Sequence, residues 1–311
     1  MNPRNELLGA PVLVTGASGF IGSHLCRRLL IEGASVHGVS REFRQSRTEG
    51  LHWWKADLGN ACEVRDLVQS ARPQIIFHLA SHVAGARELS KVLPTFHDNL
   101  ASTVHLLTSA TEQKCRRIVI AQSSEEPLQL DGATIPCSPY AAAKWAGSAY
   151  GRMFHALFQT PVVMPRIFMT YGPDQKDLNK LVPYVTLALL RGQAPKLTSG
   201  SRLADWIYVE DVVEGLVRSA LVPGLEGSAF DLGTGTLTSV REVAQVIGEI
   251  AAAGVELDFG SFPDRPLEQQ RPADTTFATT RLSWAPRTSL RDGLLATVRW
   301  YQEASASIAR A

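Results

Sequence analysis

Tyr140 and Lys144 stand four residues apart in an Ala-rich stretch, a spacing that sets both on one face of a helix. A free phenol has a pKa near 10 and is a poor base at neutral pH. A cation about 4 Å away, at an effective dielectric of ~20, contributes about 4 kcal/mol, roughly three pKa units. A lysine beside a tyrosine therefore brings the phenol into the range where it trades protons with a substrate hydroxyl. Taken alone, the pattern Y-x-x-x-K is common and usually structural; what precedes it makes it specific. Ser123 and Ser124 follow Ile118-Val119-Ile120-Ala121-Gln122, where a hydroxyl partner is expected at the end of an apolar run. Glu125 and Glu126 come next, either as a solvated turn or as a source of further acid–base chemistry.

A second constellation lies near the start of the chain. Thr15-Gly16-Ala17-Ser18-Gly19-Phe20-Ile21-Gly22 follows the apolar run Val12-Leu13-Val14 and opens a helix-like stretch. Glycines at 16, 19 and 22 fit a tight turn, close approach of backbone to a pyrophosphate, and close helix-to-strand packing. Unpaired N–H groups and the helix dipole favour an anion there. An ordinary Gly-rich turn is the alternative, but strand before and helix after is the context a dinucleotide loop requires. The residue ending the second strand chooses the dinucleotide, and an acid there would hold the ribose 2′-hydroxyl of NAD. The chain has Ser40 and Arg41 instead, with Arg44 and Arg47 beyond. Ser40 and Arg41 suit the 2′-phosphate of NADP, so NADP is favoured over NAD; a solvated arginine surface is the alternative.

These residues need a frame. The chain has 311 residues, 45% hydrophobic and 20% charged, enough for one large domain or two modest ones. Thirty-one basic and 30 acidic residues leave a net charge of +1, so no global field draws the protein to nucleic acid or an anionic membrane. No stretch approaches the ~18 uninterrupted apolar residues of a membrane span, and the N-terminus lacks a secretory pattern. Cys26, Cys62, Cys115 and Cys137 are scattered and form no CxxC, which fits reduced thiols in a cytoplasmic protein. The histidines, among them His24, His52, His82, His97, His105 and His155, show no metal-ligand spacing.

Strands are expected at Val12–Val14, Ser35–Val39, Gln74–Leu79, Arg117–Ala121 and near Thr160–Arg166, with helical stretches between the early ones and Gly33 stopping the first. Such alternation predicts an α/β, doubly wound parallel (Rossmann) sheet with ligands at its carboxyl edge. The expected division is a dinucleotide-binding domain over 1–168 and a smaller, mainly substrate-binding lobe over 169–311, with a return near 205–235 adding to the Rossmann sheet. A last helix is capped by Ser289 and Asp292 and buries Leu290, Leu294, Leu295 and Val298 on one face. The stretch from Tyr140 to Phe158 is small or apolar on nearly every side, which predicts cover on more than one face and a helix-bundle homodimer.

With these residues in place, the chain resembles the extended short-chain dehydrogenase/reductase family of nucleotide-sugar epimerases, dehydratases and ketoreductases over nearly its whole length. TGASGFIG matches the family's TGxxGFIG. Asp57-Leu58 resembles the adenine contact, and His78-Leu79-Ala80 with Ser81 the strand beside the nicotinamide ribose. Asn99 matches a structural Asn on the following helix. Ser124, Tyr140 and Lys144 match the catalytic Ser/Thr, Tyr and Lys. The resemblance implies that Tyr140 moves the hydroxyl proton, Ser124 bonds the same oxygen, and Lys144 tunes Tyr140 and holds the ribose. Arg166 through Tyr171-Gly172-Pro173 resembles RxFNxYGP, which lines the sugar site. Asn179 to Pro183, including Leu181, and Asp205-Trp206-Ile207-Tyr208-Val209 with Asp211 resemble the substrate lobe. Arg265-Pro266 resembles a late Arg on the diphosphate, and His82 is a further substrate-contact candidate.

Three departures stand out. Met169 replaces the family Asn, Ala204 replaces an Arg for which Arg202 is the candidate substitute, and Pro127-Leu128-Gln129 replaces VYG. The resemblance implies hydride exchange at a sugar carbon, usually C4, on a nucleotide-diphosphate sugar. The arginines after the second strand favour an NADPH-dependent 4-keto-sugar reductase, and the short chain fits reductases and epimerases better than dehydratases. A 4-epimerase comes next. A 4,6-dehydratase or decarboxylase is third, because Ser124-Glu125-Glu126 resembles Thr-Asp-Glu or Thr-Ser-Glu. A non-catalytic NADP-binding sensor and a reductase of non-sugar ketones complete the alternatives.

Overall fold

The computed structural model describes residues 6–45, 48–83, 87–127, 135–252, 254–264 and 270–310, with side chains to 305. Arg47, Leu128, Gln129, Arg265 and Pro266 lie outside the described residues. The chain divides into two compact units: Met1–Ile167 with Val213–Asp231 and Phe277–Trp284, and Phe168–Val212 with Leu232–Thr276 and Ala285–Ala311.

The first unit alternates strand and helix. Strand β1 (Pro11–Thr15) leads into α1 (Phe20–Ile31), β2 (Ser35–Ser40), β3 (Leu51–Lys55), α2 (Ala61–Ala71) and β4 (Ile75–His78). A helical run follows: α3 (Val92–Thr95), a π-helical turn (Phe96–Ala101) and α4 (Ser102–Glu112). Then come β5 (Arg117–Ile120), the short β6 (Gln122–Ser123), α5 (Pro139–Phe158) and β7 (Val162–Ile167). The sheet order is β11-β7-β5-β4-β1-β2-β3, with β6 beside β7 and β11 at Ala229–Leu232. The pairs β1–β2, β1–β4, β2–β3, β4–β5 and β5–β7 are all parallel. The order reverses at β1, so a crevice opens at the carboxyl ends of β1 and its neighbours. Central strands such as VLV, IIFH and RIVI are buried on both faces, as a helix-covered parallel sheet demands. Sequence periodicity missed β3, because this edge strand, LHWWK, alternates only between partly buried and exposed. Gly33 (φ +79°) ends α1 as expected.

The second unit holds β8 (Met169–Tyr171), α6 (Leu181–Leu190), β9 (Lys196–Leu197), β10 (Leu203–Tyr208), the start of α7 (Val209–Leu221), β12 (Leu237–Ser239), α8 (Val240–Ala251) and β13 (Asp258–Phe259). After α9 (Thr276–Arg281) comes α10 (Leu290–Arg310), where Ser289 Oγ accepts from Asp292 N and Leu294 and Val298 are buried. A three-stranded sheet, β12-β10-β8, backs its core of Val185, Leu189, Trp206, Val243 and Ile247. The expected return over 205–235 is therefore narrower. Only β11 joins the large sheet, whereas Asp205–Tyr208 pair with β8 and β12. Asp205 is buried and accepts from Thr234 N (2.8 Å), Thr234 Oγ1 (2.6 Å), Gly235 N (2.7 Å) and Ala273 N (3.0 Å), which ties three segments together.

Candidate active site

The loop after β1 has little freedom. Gly16 sits at φ +68°, and a Cβ there would lie 2.8 Å from Ala80 N. A Cβ on Gly22 would lie 2.1 Å from Gly16 O. The first turn of α1 is thus pressed onto the loop, and the loop onto the exit of β4. Thr15 Oγ1 locks the same corner by accepting from Leu79 N (3.2 Å) and Ala80 N (3.1 Å), so its own proton goes to His78 Nδ1 (2.8 Å). His78 therefore carries its proton on Nε2 and donates it to Thr103 Oγ1 (3.1 Å), whose hydroxyl donates to Asn99 O (2.6 Å). Burial, with Lys144 nearby, pushes His78 down to about 3, so this chain of bonds is neutral. Asn99, in the π-helical turn, accepts from His82 N (2.6 Å) and Ser81 Oγ (3.2 Å) and donates to His82 O (3.2 Å), fixing the turn after β4.

A cavity of about 410 Å³ opens at this switch point. Of the residues expected at a dinucleotide, Gly16, Ser18, Gly19, Ser40, Arg41, Arg44, Asp57, Leu58, Ala80 and Ser81 line it, as does His82. Phe20, Ile21 and Gly22 follow directly in α1, and Leu79 is held at Thr15. A backbone cradle that any Cβ would fill, at the N-terminus of a helix, fits a pyrophosphate. The sequence did not single out Glu42, Gly59 or Asp98, which also line the cavity. Arg44 Nε donates to Ser40 Oγ (3.2 Å) and its guanidinium lies over the Trp53 ring, 5.5 Å from the centroid. Arg41 pairs with Asp98 at 3.4 Å.

Helix α5 carries Tyr140 and Lys144, the expected catalytic pair. Ser138 caps it by accepting from Ala141 N (3.1 Å), and Pro139 occupies its first turn. Tyr140 and Lys144 are 8% and 6% exposed on the helix face turned to the sheet. Tyr140 lies close to Ser123 and Ser81, whose hydroxyls favour its ionised form against the larger effect of burial. Ser123 Oγ accepts from Glu125 N (3.2 Å), which leaves its proton for Tyr140. The expected partner, Ser124, is partly exposed and gives its N–H to Ile167 O (3.1 Å), whereas Ser123 is buried. Residues alternate faces along a strand, and the pairing of Ser123 with Ile167 decides which hydroxyl meets α5. Ser123→Ala is expected to lower kcat about a hundredfold, the cost of losing one preorganised donor, with Ser124→Ala within about threefold. Steady-state rates of the two variants check this, and the reverse ranking would return the role to Ser124.

Expected activation of the phenol by Lys144 is not what the fold delivers. Burial pushes Tyr140 well above the ordinary tyrosine range, with Glu125 and Glu126 adding to the rise. Lys144 Nζ donates to Ala121 O (2.7 Å) and lies 5.8 Å from the Tyr140 ring centroid. Burial lowers Lys144 to about 8, opposed by Glu126. Tyr140 Oη is thus protonated at neutral pH and Lys144 is mostly charged.

The two glutamates part company. Glu125 is partly exposed and accepts from Ser138 Oγ (3.4 Å) and Cys137 Sγ (3.6 Å) at the start of α5. Glu126 is 2% exposed and accepts from Ser148 Oγ (2.8 Å) and, weakly, Ser123 N (3.4 Å). Burial raises its pKa, against the pull of Ser148, Arg166, Ser123 and Lys144. Arg166, expected at substrate, gives its Nε to Asp231 (2.6 Å) within the first unit. Met169, exposed Asn179, Leu181 and part-buried Arg202 belong to the second unit. Among the described residues no cluster of three His, Cys, Asp or Glu side chains is set to hold a metal, no helix is long and apolar enough to cross a membrane, and all four cysteines are free thiols.

Residues 12–233 match the description "NAD dependent epimerase/dehydratase family". The chain is 33% identical to a UDP-glucose 4-epimerase of Mycolicibacterium smegmatis, across 94% of this chain and 99% of that protein. It is 30% identical to a dTDP-glucose 4,6-dehydratase of Streptomyces niveus, across 94% and 93%. Among solved structures, the Bordetella bronchiseptica enzyme WbmF in complex with NADH matches with a TM-score of 0.84 at 26% identity, covering 98% of this chain and 95% of that one. The chain belongs to the NAD dependent epimerase/dehydratase family, with the Rossmann-like α/β fold of its structural neighbours, and is an NAD-dependent enzyme of that family.

Proposed function

We propose that this member of the family exchanges hydride at C4 of a nucleotide-linked sugar and works as a 4-epimerase. The observation that carries the reading is Tyr140, buried on α5 close to Ser123 and Ser81 with Lys144 one turn on, Ser81 itself lining the switch-point cavity. The 33% identity to a UDP-glucose 4-epimerase supports the epimerase over the reductase preferred from sequence. Gly16, Ser18 and Gly19 would hold the pyrophosphate, Asp57 and Leu58 the adenine, and Ser81 the nicotinamide ribose. The nicotinamide, when bound, accepts and returns a hydride. With its own proton first released to solvent, Tyr140 Oη as phenolate takes the proton from the sugar O4 as the carbon is oxidised and returns it on reduction. Ser123 Oγ donates to the same oxygen and so stabilises its negative charge. Lys144 keeps a positive charge near the phenolate and lowers the cost of forming it.

A second reading, the NADPH-dependent 4-keto-sugar reductase, rests on Ser40 and Arg44 at the cavity and on the protonated Tyr140, which suits delivery of a proton to a ketone oxygen. Elimination or decarboxylation would draw on Glu125, because moving the hydroxyl role to Ser123 makes Ser123-Ser124-Glu125 the run that resembles Thr-Ser-Glu. Mass analysis of dinucleotide released on denaturation separates the first two. Near one NAD⁺ or NADP⁺ per chain supports the epimerase; an empty protein that prefers NADPH supports the reductase. Arg44→Ala is expected to weaken NADPH about tenfold, roughly one charge-assisted hydrogen bond, and to leave NADH within twofold in fluorescence titrations. Equal loss for both would mean that Arg44 does not read the 2′-phosphate.

A homodimer through α5 is supported by its uncovered Tyr150, Leu157 and Phe158, which lie 40%, 68% and 54% exposed. Light scattering giving the mass of one 33.8 kDa chain would refute it.

A further inference from the structure

We propose that Asp98 selects the dinucleotide: paired with Arg41, it withholds that guanidinium from a 2′-phosphate and so favours NAD over NADP. The inference rests on the switch-point cavity being the dinucleotide site proposed above. Asp98 and Arg41 both line that cavity, and Arg41 Nη1 donates to Asp98 Oδ2 at 3.4 Å. They reach it from opposite sides. Arg41 directly follows β2, whereas Asp98 belongs to the π-helical turn that Asn99 ties to the exit of β4. Strand β1 lies between β2 and β4, so the ion pair spans the strand that carries the Gly-rich loop. The chain is held at each end. Asn99 is buried and bonds Ser81 and His82, and Asp98 O accepts from Ser102 Oγ (2.7 Å). Ser40 Oγ gathers the other end by accepting from Glu42 N and Arg44 Nε, each at 3.2 Å.

The two arginines at the cavity are therefore not equivalent. Arg44 is held by a neutral hydroxyl and lies over the Trp53 ring, and neither is an anion. Arg41 already has a carboxylate. Among the described residues, two cations, Arg41 and Arg44, line the cavity against three carboxylates, Glu42, Asp57 and Asp98. A phosphate monoester brings about −1.5 to −2 charges at pH 7. To engage it, Arg41 must leave Asp98, and the carboxylate left behind repels the newcomer. A 2′-hydroxyl is neutral and requires no such exchange. The ion pair is exposed, with 72% of the Arg41 side chain and 29% of the Asp98 side chain open to solvent, so it contributes little to stability. Its effect falls on the choice of ligand and not on folding. The selecting acid thus stands 57 residues beyond Arg41, not at the end of β2 where the dinucleotide rule places it.

Fluorescence titrations of the full-length protein with NADH and with NADPH, after removal of any resident dinucleotide, give the ratio of the two affinities and need no sugar. The parent chain is expected to bind NADH the more tightly. Asp98→Asn, which keeps the size and removes the charge, is expected to shift the ratio about tenfold toward NADPH, roughly one charge-assisted hydrogen bond. Asp98→Ala serves in its place should Asp98→Asn not fold. Asp98→Glu keeps the charge and leaves the ratio within about threefold of the parent. Adding Arg41→Ala to Asp98→Asn also returns it to within about threefold, because the gain belongs to the released guanidinium. An unchanged ratio in a folded neutral variant overturns the proposal, as does a parent that prefers NADPH. A gain that survives Arg41→Ala overturns it too, since the guanidinium would not be its source. Equal loss of both dinucleotides in Asp98→Asn leaves Asp98 a structural residue and likewise overturns it. The reading of the cavity is tested apart by Gly22→Ala. Lost binding there beside an unmoved Asp98→Asn keeps the site and removes the selector; binding like the parent's places the site elsewhere and removes both.

Discussion

Tyr140→Phe is expected to lower kcat about a thousandfold and leave dinucleotide affinity within about threefold. The phenol oxygen is the only atom removed, and it is the atom at which the proton moves. Positioned proton transfer contributes about 10²–10⁴ in rate. Here the larger values apply because the group is 8% exposed, so water does not readily take its place. Ser123 and Ser81 keep their positions, since Glu125 N holds one hydroxyl and Asn99 the other. Single-turnover rates of nicotinamide reduction with a nucleotide-linked sugar, beside a fluorescence titration with the dinucleotide, check the two halves separately. A fall of less than tenfold would mean that another acid moves the proton, and Glu125, held at the start of α5 by Ser138 and Cys137, would be that acid.

Gly22→Ala should abolish measurable dinucleotide binding and lower Tm by several degrees. The added methyl would lie 2.1 Å from Gly16 O, 2.8 Å from Gly16 C and 3.0 Å from Ala17 Cα. All three are backbone atoms, so no rotamer relieves the clash. Gly16 cannot retreat, because a shift presses it into Leu79 and Ala80, which Thr15 Oγ1 holds. Either α1 moves off the loop or the loop opens, and both spoil the cradle for an anion. Overpacking of this kind costs about 1–3 kcal/mol, or roughly 2–4 °C for each kcal/mol in a large domain. Gly248→Ala on α8 is the control. No atom lies within 4 Å of a Cβ there, and an alanine in a helix is stabilising by about 0.5–1 kcal/mol. Scanning calorimetry with and without dinucleotide reads both variants. A Gly22→Ala protein that still gains stability from the dinucleotide would show that the loop is softer than its contacts imply.

Local features were legible in the chain because their causes are local. The glycines at 16, 19 and 22 announce a loop whose steric demands arise within a few residues of backbone. The four-residue step from Tyr140 to Lys144 places them on one helix face, whatever packs against it. Apolar runs such as Ile75–His78 and Arg117–Ile120 are doubly buried strands because no other element hides them as well. Edge strand β3 was hidden because its exposure follows from having a neighbour on one side only, which no window of sequence records. The segment 205–235, expected as a single return to the large sheet, is split for a related reason: β10 and β11 are both short and apolar, and only pairing assigns them to different sheets. By itself, then, the sequence determined the family fold, the Gly-rich loop between β1 and α1 and the shared helix face of Tyr140 and Lys144. Tertiary structure decided which serine is covered: Ser123, paired with Ile167 in β6, is buried, while Ser124 just past the strand is partly exposed. It also decided the charges. Proximity of a lysine argues for a lowered phenol pKa, but burial is a property of everything packed around the phenol, and here it wins.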